Sequence, residues 1–175
     1  MPTEEIIEVL LVAASPIAEL RVAIPLAINT FEFSWYYAFM LAIIGNLLPV
    51  PFILLFLETA TRLLSKVPLF KRMLNWLFER TRRRGRIIQK YKRIGLVLFV
   101  AIPLPVTGAW TGSLAAVLFG IKFNHAFLSI FIGVVIAGVI VTCLSLLGWV
   151  GAIIAGVALS GIVIYGIWRA WDNKN

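Results

Sequence analysis

The sequence predicts an all-α integral membrane protein. It has two opposed re-entrant helical hairpins and three transmembrane helices in an inverted-repeat arrangement, with a basic amphipathic segment on the cytoplasmic side. Three observations carry this. Hydrophobic residues make up 61% of the 175, with a mean hydropathy of +0.98, which is membrane-protein composition. Twelve of the sixteen Lys and Arg fall between Arg62 and Arg93, the crowding of bases that marks a cytoplasmic loop. Two apolar stretches are broken by prolines beside polar residues, and lipid-exposed backbone does not tolerate such breaks. The length suits a single membrane domain over residues 1–175.

The first hairpin is expected over residues 4–31. Ile6–Ala14, apolar but for Glu8, is too short to span. A polar tip comes next with Ser15, Pro16, Glu19 and Arg21, and then a second short arm, Val22–Ile28, which contains Pro25. Glu4, Glu5 and Glu8 without a base are a poor start for a secretory signal, so these residues are read as part of the mature fold.

A span is expected over residues 33–57, an uncharged run of 25 residues. At ~1.5 Å per residue it crosses a bilayer with some tilt. Trp35, Tyr36 and Tyr37 open it as an interfacial belt, and Asn46, Pro49 and Pro51 predict a kink in its second half. Residues 58–93 form the basic segment. Leu63, Val67, Phe70, Leu74 and Leu77 recur at helical spacing, as in a helix lying on anionic headgroups.

The second hairpin, residues 94–122, holds the most informative stretch. Ile94–Ile121 is uncharged over 28 residues, long enough to span once. However, Pro103 and Pro105 remove backbone donors and disfavour helix before them, and Gly108 and Gly112 loosen the next turn of chain. Two half-helices, Ile94–Ala101 and Ser113–Ile121, are expected to meet at this tip. Spans at 124–147 and 150–169 complete the chain, turning at Gly148-Trp149-Val150-Gly151. A small-residue stripe, Gly148, Ala152, Gly156 and Ser160, suits close helix contact and a homodimer. Parity with the basic segment inside puts the N-terminus outside and the C-terminus in the cytoplasm. The halves look related, Pro16 answering Pro105 and Phe33-Ser34-Trp35 answering Phe123-Asn124-His125. Such inverted repeats recur in secondary transporters.

Glu19 and Arg21 are the charges at the tip of an embedded hairpin, and each is costly unless it faces protein or water. Two residues apart on a helix they project about 200° apart, so pairing needs unwound backbone near Ser15–Glu19. The functional reading makes Arg21 an anion contact and Glu19 a proton-carrying carboxylate or the partner of Arg21; the alternative is a structural ion pair. At the second tip Thr107, Thr111 and Ser113 either meet a ligand, together with free amides around Gly108 and Gly112, or satisfy the broken backbone. Trp110 lines a path or anchors packing. Asn46 reaches the tips or bonds a neighbouring helix. The substrate- or proton-binding set is therefore Glu19, Arg21, Pro25, Asn46, Pro105, Thr107, Gly108, Trp110, Thr111 and Gly112.

No catalytic residue, metal site or cofactor is expected. A lone histidine supplies no HExxH site, there is no P-loop, and one cysteine, Cys143, gives neither disulfide nor thiol cluster. The net charge of +8 has a topological origin, so the expected partners are membrane lipids and not nucleic acid.

At Glu19-Leu20-Arg21-Val22-Ala23-Ile24-Pro25 and Pro103-Leu104-Pro105-Val106-Thr107-Gly108-Ala109-Trp110-Thr111-Gly112 the chain resembles the prokaryotic family described as small multidrug export proteins, over nearly its whole length. More distantly, its plan is similar to the DedA (VTT-domain) superfamily of two opposed re-entrant hairpins, with acidic residues in the first and arginines in the second. Glu19 matches the acidic position. The second hairpin carries no arginine, and Arg21 lies in the first. The resemblance implies a multi-pass protein of the prokaryotic plasma membrane that translocates a phospholipid or polyprenyl-phosphate lipid, with proton coupling through Glu19. The alternatives are a proton-coupled exporter of small compounds, and a non-transporting scaffold.

Overall fold

The computed structural model describes residues 2–64, 85–103, 107–148, 150–154, 156–157 and 160–161. Among these it is all-helical. The basic segment between residues 65 and 84, Pro105 at the second tip, Trp149 in the last turn and the end of the last expected span, residues 162–169, lie outside the described residues.

Helix α1 (Thr3–Ala14) stops at Ser15, which turns extended; its hydroxyl donates to Val12 O at 2.9 Å and accepts from Ala18 N at 3.2 Å. Those two bonds satisfy backbone groups that the stop would orphan. Helix α2 (Glu19–Pro25) follows and loosens into a π-turn, Leu26–Thr30, where Pro25 contributes no N–H. Twelve and seven residues rise ~18 Å and ~10 Å, each short of a ~30 Å hydrocarbon core.

Helices α3 (Trp35–Leu47) and α4 (Pro49–Leu64) meet at Leu48, and together they make an apolar run, Trp35–Leu57, long enough to cross a membrane. The interruption falls at the residue before Pro49, as a proline there dictates. Helix α5 (Gly85–Ala101) begins nine residues before the expected arm, since no breaker separates the basic residues from Ile94. Helix α6 (Ala109–Leu118) likewise starts four residues before the expected Ser113. Gly112 continues that helix because it packs against Val100, where a side chain would not fit. Helix α7 (Phe123–Leu146) is the second membrane-length helix. Helical turns resume at 150–154.

Helix α7 is the axis of the molecule, touching α2, α3, α4, α5 and α6. Small residues let the backbones close on one another. A Cβ at Gly133 would lie 2.7 Å from Val100 Cβ, and one at Gly45 would lie 2.8 Å from both Ala13 Cβ and Leu10 O. The core that results joins Val9, Ile24, Val50, Val100, Ile130 and Val134. Its outer surface is apolar too: Met40, Ile44, Phe52 and Phe56 on α3 and α4, and Leu128, Ile132, Ile136 and Val139 on α7 are exposed. A surface of this extent belongs against hydrocarbon.

Candidate functional site

The two chain breaks meet at Glu19. This residue opens α2 with φ of +49°, a left-handed conformation that costs a non-glycine residue about 1–3 kcal/mol. The strain turns its side chain inward, so that the residue is only 4% exposed. Its carboxylate lies at the N-terminus of α6, where Trp110 N donates to Oε1 at 3.4 Å and the Ala109 amide also faces it. Gly108 precedes that helix without a side-chain cap of its own. A Cβ on Gly108 would overlap the Glu19 carboxylate, so the glycine is what permits the approach. Helix α6 therefore takes its cap from a residue 91 positions earlier, and an anion at a helix N-terminus is favourable by about 0.3–2 kcal/mol. At the other end of α6, Lys92 Nζ donates to Phe119 O at 2.9 Å, which places a cation on the terminal carbonyls.

Arg21 Nη2 reaches Glu19 Oε2 at 3.4 Å, and its side chain is 17% exposed against 5% for the acid. The pairing evades the helical geometry that would separate positions i and i+2 because Glu19 itself is not in helical conformation. Trp110 adds a second tie between the breaks: its Nε1 donates to Ala14 O at 3.0 Å, one of the orphan carbonyls ending α1.

Beside this junction lies a crevice walled by Glu19 and Arg21, Asn46 of α3, Gly108 and Ala109 of α6, and Val134 and Ala137 of α7. It is too narrow to seat a water-sized sphere. Asn46 is 1% exposed, and among the described residues neither its Nδ2 nor its Oδ1 has a hydrogen-bond partner. Leaving such groups buried and unpaired costs about 1–3 kcal/mol, which makes this amide the least satisfied feature of the site.

Glu19, Arg21, Asn46, Gly108 and Trp110 are thus brought together. The other anticipated residues stand apart from the carboxylate. Thr107 Oγ1 donates to Ile102 O at 2.6 Å and Thr111 Oγ1 to Gly108 O at 3.5 Å, so both serve the broken backbone; Ser113 Oγ does the same for Ala109 O at 2.7 Å. Gly112 is a helix contact, Pro25 shapes the turn after α2, and Pro105 is outside the described residues. Sequence reasoning missed Ala109, Val134 and Ala137, which contribute backbone amide or apolar wall and carry no chemical signal in their side chains. Among the described residues no group of His, Cys, Asp and Glu forms a metal cluster.

A family model described as "Putative small multi-drug export protein" matches residues 19–140, more than half of the chain, and the match begins at Glu19. Neither a curated protein nor a solved structure matches.

Proposed function

The chain belongs to the small multidrug export family, and from that premise we propose that it is a proton-coupled membrane exporter of small amphipathic compounds, with Glu19 as the coupling group. The observation that carries this reading is the Glu19 carboxylate, buried and shared between the two chain breaks. While the breaks touch, Arg21 and the amides of α6 contact it. When they part, those partners are withdrawn, and a carboxyl left in apolar surroundings takes a proton. A carboxylate whose partners depend on conformation can exchange a proton for a substrate as the site changes its access.

The packing supports an inverted repeat. Helix α1 lies on α3 as α5 lies on α7, with Gly45 and Gly133 at the respective contacts. Across the halves, α2 lies on α7 as α6 lies on α4. We take α1–α2 and α5–α6 as opposed re-entrant hairpins, with the N-terminus outside, the basic segment on the cytoplasmic leaflet of a prokaryotic plasma membrane and no enzymatic role. The stripe from Gly148 to Ser160 suits a homodimer, Gly156 having nothing within 4 Å among the described residues.

A second reading, lipid translocation of the DedA type, draws on Arg21. Its guanidinium and the α6 amides are the donors a headgroup phosphate would need once Glu19 left them. Reconstituted protein separates the two. Export predicts accumulation of an amphipathic cation driven by a pH gradient, without movement of labelled phospholipid; phospholipid crossing without cation accumulation favours the second, and inactivity in both assays leaves the scaffold.

A further inference from the structure

We infer that the crevice is a binding site for cations bearing N–H donors, of guanidinium or amidinium type, and that Arg21 occupies it as a built-in stand-in for the ligand. The inference deepens the exporter reading and rests on it for the transport role, although binding itself can be measured without transport. Three polar side chains wall the crevice, and they differ in freedom. Glu19 and Asn46 are almost wholly enclosed, whereas Arg21 is three times as exposed as the acid and holds it through a single contact at the edge of hydrogen-bonding range. A guanidinium held end-on forgoes the bidentate fork that makes such pairs strong.

The crevice as it stands admits nothing, not even water. Room appears when Arg21 swings outward on its long flexible stem. The space vacated is that of a planar cation. It faces a carboxylate that has just lost its counter-charge, in a crevice also walled by Asn46, whose Oδ1 and Nδ2 have no partner among the described residues. A group that carries one positive charge and several N–H donors satisfies Glu19 and Asn46 Oδ1 together. A quaternary ammonium supplies the charge and leaves Asn46 unpaired, which a polar site rejects strongly.

The test uses the full chain in nanodiscs and isothermal titration with two probes of equal charge and tail, hexylguanidinium and hexyltrimethylammonium. Wild type is expected to bind hexylguanidinium at least tenfold more tightly. Asn46→Leu should erase that preference, and Arg21→Ala, by removing the internal competitor, should tighten hexylguanidinium binding severalfold. Equal binding of the two probes, binding of neither, a preference that survives Asn46→Leu, or weaker binding in Arg21→Ala would each overturn the site. Should Asn46→Leu fail to assemble, the wild-type preference and the sign of the Arg21→Ala change decide. Guanidinium-selective binding without pH-driven transport would sink the exporter reading and keep the site; transport without that selectivity would do the reverse.

Discussion

Gly108→Ala offers the most incisive probe of the junction between the two chain breaks. The added Cβ would overlap the carboxyl carbon and both oxygens of Glu19. Since these atoms end a flexible side chain, the collision is relieved by moving the carboxylate and not by shifting backbone. Movement takes the carboxylate away from Trp110 N and from Arg21. A hydrogen bond to a charged group contributes about 1.5–3 kcal/mol net, so the displaced carboxylate alone is expected to cost about 2 kcal/mol. The strain of a side chain at φ +159° adds to it. For a chain of this size each kcal/mol shifts the midpoint by about 2–4 °C, so the thermal midpoint of the detergent-solubilised protein should fall by at least about 4–8 °C. The double-mutant cycle isolates the cause. In a Glu19→Ala background the Cβ no longer strikes a carboxylate, so Gly108→Ala should cost about 2 kcal/mol less, leaving only the strain of a side chain at φ +159°. A Gly108→Ala protein as stable as wild type, or one equally destabilised in both backgrounds, would refute the reasoning.

Other expectations rest on individual contacts. Trp110→Phe keeps an aromatic side chain, smaller than the indole, but leaves Ala14 O without its donor, so the midpoint should fall by at least about 2–4 °C for a hydrogen bond contributing ~1 kcal/mol. Gly133→Ala drives a methyl against Val100 and should cost about 1–3 kcal/mol of overpacking, whereas Gly156→Ala meets nothing among the described residues and should not destabilise the monomer in unfolding scans. A cysteine replacing Lys122, just before α7, should react with an impermeant maleimide from the cytoplasmic face only; reaction from outside would mean that residues 94–121 cross the bilayer.

Much of the helical plan was legible because lipid imposes a short vocabulary. An uncharged run of membrane length without an internal proline reads as one helix, and Phe123–Leu146 departs from the expected span by a single residue at each end. Proline also spoke clearly, since Pro49 ends one helix and starts the next. Boundaries that rested on glycine were misplaced. Gly112 reads as part of the break in the sequence, but a helix interior accepts glycine where another backbone crosses closely, and that crossing is a tertiary fact.

At the site, Glu19 and Arg21 could be singled out because charge is costly in a membrane. Their pairing could only be stated as conditional on unwound backbone, and the condition is met by one residue at φ +49°. The partner of the carboxylate, in contrast, could not be read from residue types. The α6 amides are backbone groups about 90 positions away and leave no trace in side-chain chemistry. For the same reason, the hydroxyls of Thr107 and Thr111 resemble ligand contacts until the backbone that they satisfy is in view.

The central claim is that Glu19 couples protons to export, and proton flow tests it most directly. Proteoliposomes with an acidic lumen and a trapped pH indicator would be given an amphipathic cation from outside. The account expects wild type to release luminal protons as the cation enters, and Glu19→Gln, which keeps the shape and loses the titratable group, to release none. Undiminished proton release by Glu19→Gln would contradict it.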